Sequence, residues 1–97
     1  MVVGCLELTL TLLAPESLKE KRSVVRRTID RVQNRFHVAA AEVGLNDVHD
    51  RALIGISAVS NDSSFVNSIL DKIIDFIDDD LLGRAEVTDS RMELIHF

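Results

Sequence analysis

The spacing of apolar residues switches twice along this chain, in the same order each time, and that switch limits the fold more than any other feature. In "VVGCLELTLTLL" the leucines Leu6, Leu8, Leu10 and Leu12 share one side, while Cys5, Glu7, Thr9 and Thr11 share the other. Alternation with period two is the mark of a half-buried β-strand. Pro15 punctuates the strand's exit, and Ser17 with Glu20 three residues on makes a capping-box pattern that opens a helix. Leu18, Val25, Ile29, Val32 and Phe36 then form a helical stripe ending near Arg35. "HVAAAEV" and "RALIGISAV" read as two further strands, with hairpin turn chemistry in "GLNDVHD" between them. "SNDSS" supplies N-cap residues for a second helix, whose stripe is Val66, Ile69, Ile73 and Ile77 and whose stop is near Gly83. The tail "RAEVTDSRMELIHF" is β-compatible and makes a fourth strand.

The order is therefore β-α-β-β-α-β. Two β-α-β halves of this kind predict an α+β ferredoxin-like sandwich, a four-stranded antiparallel sheet with two helices on one face. With 97 residues the chain makes a single domain, 1–97. Its 46% hydrophobic content suits a packed core rather than disorder. Cys5 is the only cysteine and cannot form an internal disulfide, which fits a reducing, cytoplasmic setting. The opening segment alternates and carries Glu7, so it reads as neither a signal peptide nor a membrane span.

Charge is distributed unevenly. The chain is −5 at neutral pH, yet "SLKEKRSVVRRTIDRVQNR" sets Lys19, Lys21, Arg22, Arg26, Arg27, Arg31 and Arg35 against only Glu20 and Asp30. Arginine forks grip phosphate oxygens, and neutralising phosphates releases condensed counterions, so the segment is a candidate nucleic-acid contact. The competing explanation is internal. The second helix carries Asp71, Asp75, Asp78, Asp79 and Asp80 against Lys72, and aspartates at a helix C-terminus oppose the macrodipole. Antiparallel helices would bring that end near Lys19, Lys21 and Arg22. The expected division is that Lys19, Lys21 and Arg22 pair with Asp78 and Asp79, while Arg26, Arg27, Arg31 and Arg35 hold an external anion. Of the two flanks of the helix, Lys19, Arg22 and Arg26 against Arg27, Arg31 and Arg35, the one farther from helix two is the better functional candidate.

Other chemistry finds little support. Without Trp or Tyr, and with its four phenylalanines in or beside helices or at the C-terminus, the sheet cannot offer an aromatic stacking platform for bases. Its open face, with Val3, Cys5, Thr9 and Thr11, is expected to be small and uncharged apart from Glu7, suited to packing against a second copy. "SNDSS" is explained by capping, and Asp62 would repel an anion there. The aspartates of helix two lack a glycine-turned loop or glutamate clamp for a divalent cation and read as a solvated face. His37, His49 and His96 have no ligand partners at zinc spacing, and strand alternation accounts for Cys5. No catalytic residue set, metal site or small-molecule cofactor is expected.

"SLKEKRSVVR" after a strand, "NRFHVAAAEV", and "RALIGISAVSND" before the second helix resemble the YlxP-like proteins, a family of small bacterial proteins classed as a domain of unknown function. His49 departs from the aromatic residue, often Trp, expected in the family's hairpin. The resemblance implies a ferredoxin-like fold. Genes of the family often neighbour those for a translation initiation factor and ribosome-binding factor A, which implies a role around translation or ribosome maturation. The expected function is a non-enzymatic cytoplasmic binding protein whose basic first helix meets ribosomal RNA or the ribosome. The alternative is a homo-oligomeric protein-interaction module that binds no nucleic acid.

Overall fold

The computed structural model describes residues 1–15 and 17–97. Val2–Leu12 form strand β1, and its alternation is realised in full: Leu6, Leu8, Leu10 and Leu12 are buried while the intervening residues are half-exposed. Each such leucine contributes about 1.5–3 kcal/mol relative to an exposed one. Ser17 caps helix α1 (Leu18–Phe36), its Oγ accepting from the Glu20 N–H at 3.1 Å. The helix stops at His37, which takes the left-handed conformation at φ 54° and donates its N–H to the Gln33 carbonyl at 3.0 Å. Strands β2 (Ala39–Gly44) and β3 (Arg51–Ser60) follow, then helix α2 (Ser63–Asp80) and strand β4 (Ala85–His96).

The described strands form one antiparallel sheet in the order β2-β3-β1-β4. This is the ferredoxin-like sandwich that the repeated switch of period predicts. Helix α1 lies over β2 and β3, and α2 lies over β1, β3 and β4. The core is a single cluster between helices and sheet. A Cβ at Gly4 would collide with Val66 Cγ1 and stand 2.8 Å from Leu70 Cδ1, so α2 rests on the β1 backbone through that glycine. Asp62 caps α2, its Oδ1 accepting from the N–H groups of Ser64 at 2.9 Å and Phe65 at 3.4 Å. "SNDSS" therefore does capping chemistry.

The helical stripes differ in detail from their sequence patterns. In α1 the buried positions are Lys21, Val25, Thr28 and Val32, while Ile29 and Phe36 are half-buried. In α2 they are Val66, Leu70, Ile73 and Ile77, with Ile69 partly covered. Thr28 turns its hydroxyl back to the Val24 carbonyl at 2.9 Å, which lets a polar residue occupy a core position.

Candidate nucleic-acid interface on helix one

The two helices run antiparallel but staggered. Arg31 Nε donates to Asp80 Oδ1 at 2.9 Å, and one turn further on Phe36 meets Phe76 edge to face, with ring centroids 5.5 Å apart. The Arg35 guanidinium lies 5.2 Å from the Phe76 centroid. The last turn of α2 thus faces Arg31, well along α1. Lys21 lies ten residues before Arg31, about 15 Å along the axis at 1.5 Å per residue.

This stagger corrects the expected division of charges. Lys19, Lys21 and Arg22 do not meet Asp78 and Asp79, because the start of α1 projects past the end of α2. Lys21 is fully buried and donates to Glu42 Oε2 at 2.5 Å, the Leu45 carbonyl at 2.8 Å and the Asn46 carbonyl at 3.3 Å. It ties α1 to the β2–β3 hairpin. Arg22 comes only to 3.9 Å from Asp47, and both side chains are well exposed. Exposed pairs of this kind contribute about 0–1 kcal/mol. The α1 cation that serves the end of α2, where Arg84 also donates to the Asp80 carbonyl at 3.0 Å, is Arg31, which sequence reasoning assigns to an external anion. Asp80, and neither Asp78 nor Asp79, receives it, since Asp80 turns inward while the other two remain exposed. Arg35, another expected external contact, stacks over Phe36 and Phe76.

Arg26 and Arg27 remain from the expected contact set. Among the described residues neither has an ion-pair partner, and the same is true of Lys19. Lys19, Arg22, Arg26, Arg27 and Arg31, with Ser23 and Asp30, line an open groove on the outer surface of α1. The flank farther from α2 is the one that carries Lys19, Arg22 and Arg26. Besides Arg31, four cations face solvent here against the carboxylates of Glu20 and Asp30 on the same stretch. The outer face of α2, with Asp71, Asp75, Asp78 and Asp79 exposed, has the opposite sign.

The open face of the sheet is more charged than its sequence implies. A shallow trough of about 410 Å³ runs over Cys5, Ala39, Ala41, Gly55 and Ser57. Beside it β4 contributes Arg91, which approaches Glu7 at 3.5 Å, together with Glu93 opposite Cys5 and Asp89 opposite Thr9. The expectation that Glu7 is that face's only charge is therefore wrong. The cause is the register of β4, which the mixed pattern of the tail leaves open. Among the described residues no group of three or more His, Cys, Asp or Glu side chains is placed to hold a metal ion. No helix among them is long and apolar enough to cross a membrane.

Lys21 and Glu42 carry signals that could have placed them. Lys21 is in phase with Val25, Thr28 and Val32, and Glu42 is the only charged residue of β2, at the inward parity of Ala40. Arg31–Asp80 has no local signal, because the stagger of two helices is set by packing on the sheet.

Known proteins agree with this architecture. A designed protein with ferredoxin fold, LFR1 1, superposes with a TM-score of 0.59 at 16% identity, over 98% of this chain and 84% of its own. The intact alpha subunit of aIF2 from Pyrococcus abyssi matches with a TM-score of 0.54 at 16% identity, over 97% of this chain and 34% of that subunit. At such identities the likeness is one of fold. The Bacillus subtilis (strain 168) protein described as "Uncharacterized protein YlxP" is 44% identical over 62 residues, 64% of this chain and 67% of that one. The family model described as "Protein of unknown function (DUF503)" matches residues 3–92, and the chain belongs to that family.

Proposed function

We propose that this protein is a non-enzymatic binding protein that docks on structured RNA, at or near the ribosome, through the outer face of the first part of α1. The observation that supports this reading is the helix stagger, which leaves Lys19, Arg22, Arg26 and Arg27 beyond the reach of the α2 aspartates. A cationic row that no α2 carboxylate neutralises gains from phosphate contact, because each neutralised phosphate releases a condensed counterion. The acidic outer face of α2 repels the same polyanion, so a chain of net charge −5 meets it in one orientation. The gene neighbourhood implied by the family resemblance points to the ribosome as the setting. Arg31 lines the same groove but commits its charge to Asp80, and Arg35 stacks on Phe76, so both drop out of the contact set.

Co-sedimentation with ribosomes at low salt tests the reading. Wild type is expected in the ribosomal pellet, and Arg26→Glu/Arg27→Glu in the supernatant with its fold intact. Equal pelleting of the two proteins, or absence of both from the pellet, would remove the basis for it.

A further inference from the structure

We infer that this protein forms a two-fold dimer by pairing its β4 edge with β4 of a second copy, centred on Met92. The inference is independent of the α1 surface, which lies over β2 and β3 on the far side of the sheet.

Among the described strands, β4 has a neighbour on one side only. The direction of its unpaired backbone groups follows from the chain ends. Met1 and Phe97 exchange two hydrogen bonds, the Phe97 N–H to the Met1 carbonyl at 2.7 Å and the Met1 amine to the Phe97 carbonyl at 2.9 Å. In an antiparallel ladder such pairs alternate with pairs that exchange none. Along the same register Ile95, Glu93, Arg91 and Asp89 bond to β1, while the N–H and C=O groups of Leu94, Met92 and Ser90 point outward. Edges that remain single are usually blunted by proline, charged side chains, a short strand or a bulge. This strand has twelve residues and no Pro, its register shift falls toward one end, where Thr88 is the extra residue between Val87 and Asp89, and past that shift its charges are of both signs, Asp89, Arg91 and Glu93.

Charge selects both the partner and the register. With Met92 opposite Met92, Arg91 of each copy stands directly opposite Glu93 of the other, twice over. These are pairs without backbone bonds, where side chains approach most closely, on the open face of the sheet. Centring the pairing on Arg91 would oppose Arg91 to itself and Asp89 to Glu93. Centring it on Glu93 would oppose Glu93 to itself. A centre at Ser90 pairs Arg91 with Asp89 but runs Met92 into the bulge at Thr88. On the helix side the Met92 centre joins Met92 to Met92 and brings Leu94 opposite Ser90. Met92 and Leu94 pack half-buried on the core in the single chain, so the pairing covers them further. The result is a continuous eight-stranded sheet with both α1 helices at its outer ends.

Sedimentation at tens of micromolar tests the proposal through charge exchange. Wild type is expected at the dimer mass. Glu93→Arg opposes arginine to arginine and Arg91→Glu opposes glutamate to glutamate, so each variant by itself sediments as a monomer, its self-association weakened roughly tenfold or more. Both positions are exposed, and unchanged circular dichroism verifies that the variants are folded. Mixed one to one, the two variants restore both opposite-charge pairs and form a heterodimer. Thr9→Arg, in the middle of the open face, leaves the dimer intact. A monomeric wild type, a dimeric Glu93→Arg, a mixture that stays monomeric, or a dimer lost on Thr9→Arg each overturns the assignment.

Discussion

Lys21 Nζ lies 2.5 Å from Glu42 Oε2 on a side chain with no exposed surface, in a helix whose other basic residues all face solvent. The remaining protons of the ammonium go to the Leu45 and Asn46 carbonyls. Leu45 takes a left-handed backbone, φ 57°, at the turn where it receives this contact and the Val48 N–H at 3.0 Å. A non-glycine residue there costs about 1–2 kcal/mol, which the lysine contact helps to offset.

Removing the lysine charge should therefore cost more than removing any other in α1. Lys21→Met leaves Glu42 without its counter-charge and the Asn46 carbonyl without its donor. Glu42 retains some solvent access, so we expect a loss of about 2–4 kcal/mol in urea unfolding. Lys21→Met/Glu42→Leu should recover most of it. A Lys21→Met variant as stable as wild type would show that the contact does not hold the hairpin.

The arginines of α1 should separate by stability. Asp80 is nearly buried at the helix terminus where a carboxylate is least favoured, and its Oδ2 has no partner among the described residues. Arg31→Ala strips the other oxygen of its donor and should cost about 1–3 kcal/mol. Arg26→Ala and Arg27→Ala should stay within about 0.5 kcal/mol of wild type, as exposed sites do. Thermal or denaturant melts of the three variants check this ranking, and equal melts would contradict it.

Two glycines should respond unequally to a methyl group. At Gly4 it meets Val66 and Leu70 of α2 in the packed core, so Gly4→Ala should cost about 1–3 kcal/mol. At Gly55 it stands 2.8 Å from Val43 Cγ1, but Val43 is half-exposed on a short edge strand and can turn aside. Gly55→Ala should cost under about 1 kcal/mol. Melting temperatures that fall by the same amount would mean that α2 does not depend on close approach at Gly4.

The elements were legible because their signals are local. The leucines of β1 alternate without interruption, Ser17 and Asp62 sit where the helices begin, and the hairpin turn is written in "GLND". The site was legible in composition and not in assignment. The sequence shows that α1 is basic, but which of its residues face α2 depends on where two helices come to rest on a sheet of longer strands. Arg31 therefore exchanged roles with Lys19 and Arg22. The charge of the open face was hidden for a related reason, since one extra residue at Thr88 decides which side of β4 each later residue faces.

The salt dependence of binding to a structured ribosomal RNA fragment tests the central claim most directly. Taking the duplex value of about −0.9 per phosphate contact, four cations on α1 predict a log–log slope for wild type of up to about −3.6. Arg26→Glu/Arg27→Glu should lose most of its affinity and flatten the slope by about two contacts, while unfolding at the same denaturant concentration as wild type. Affinity and slope that survive the double reversal, or wild type that binds no RNA at low salt, would contradict the account.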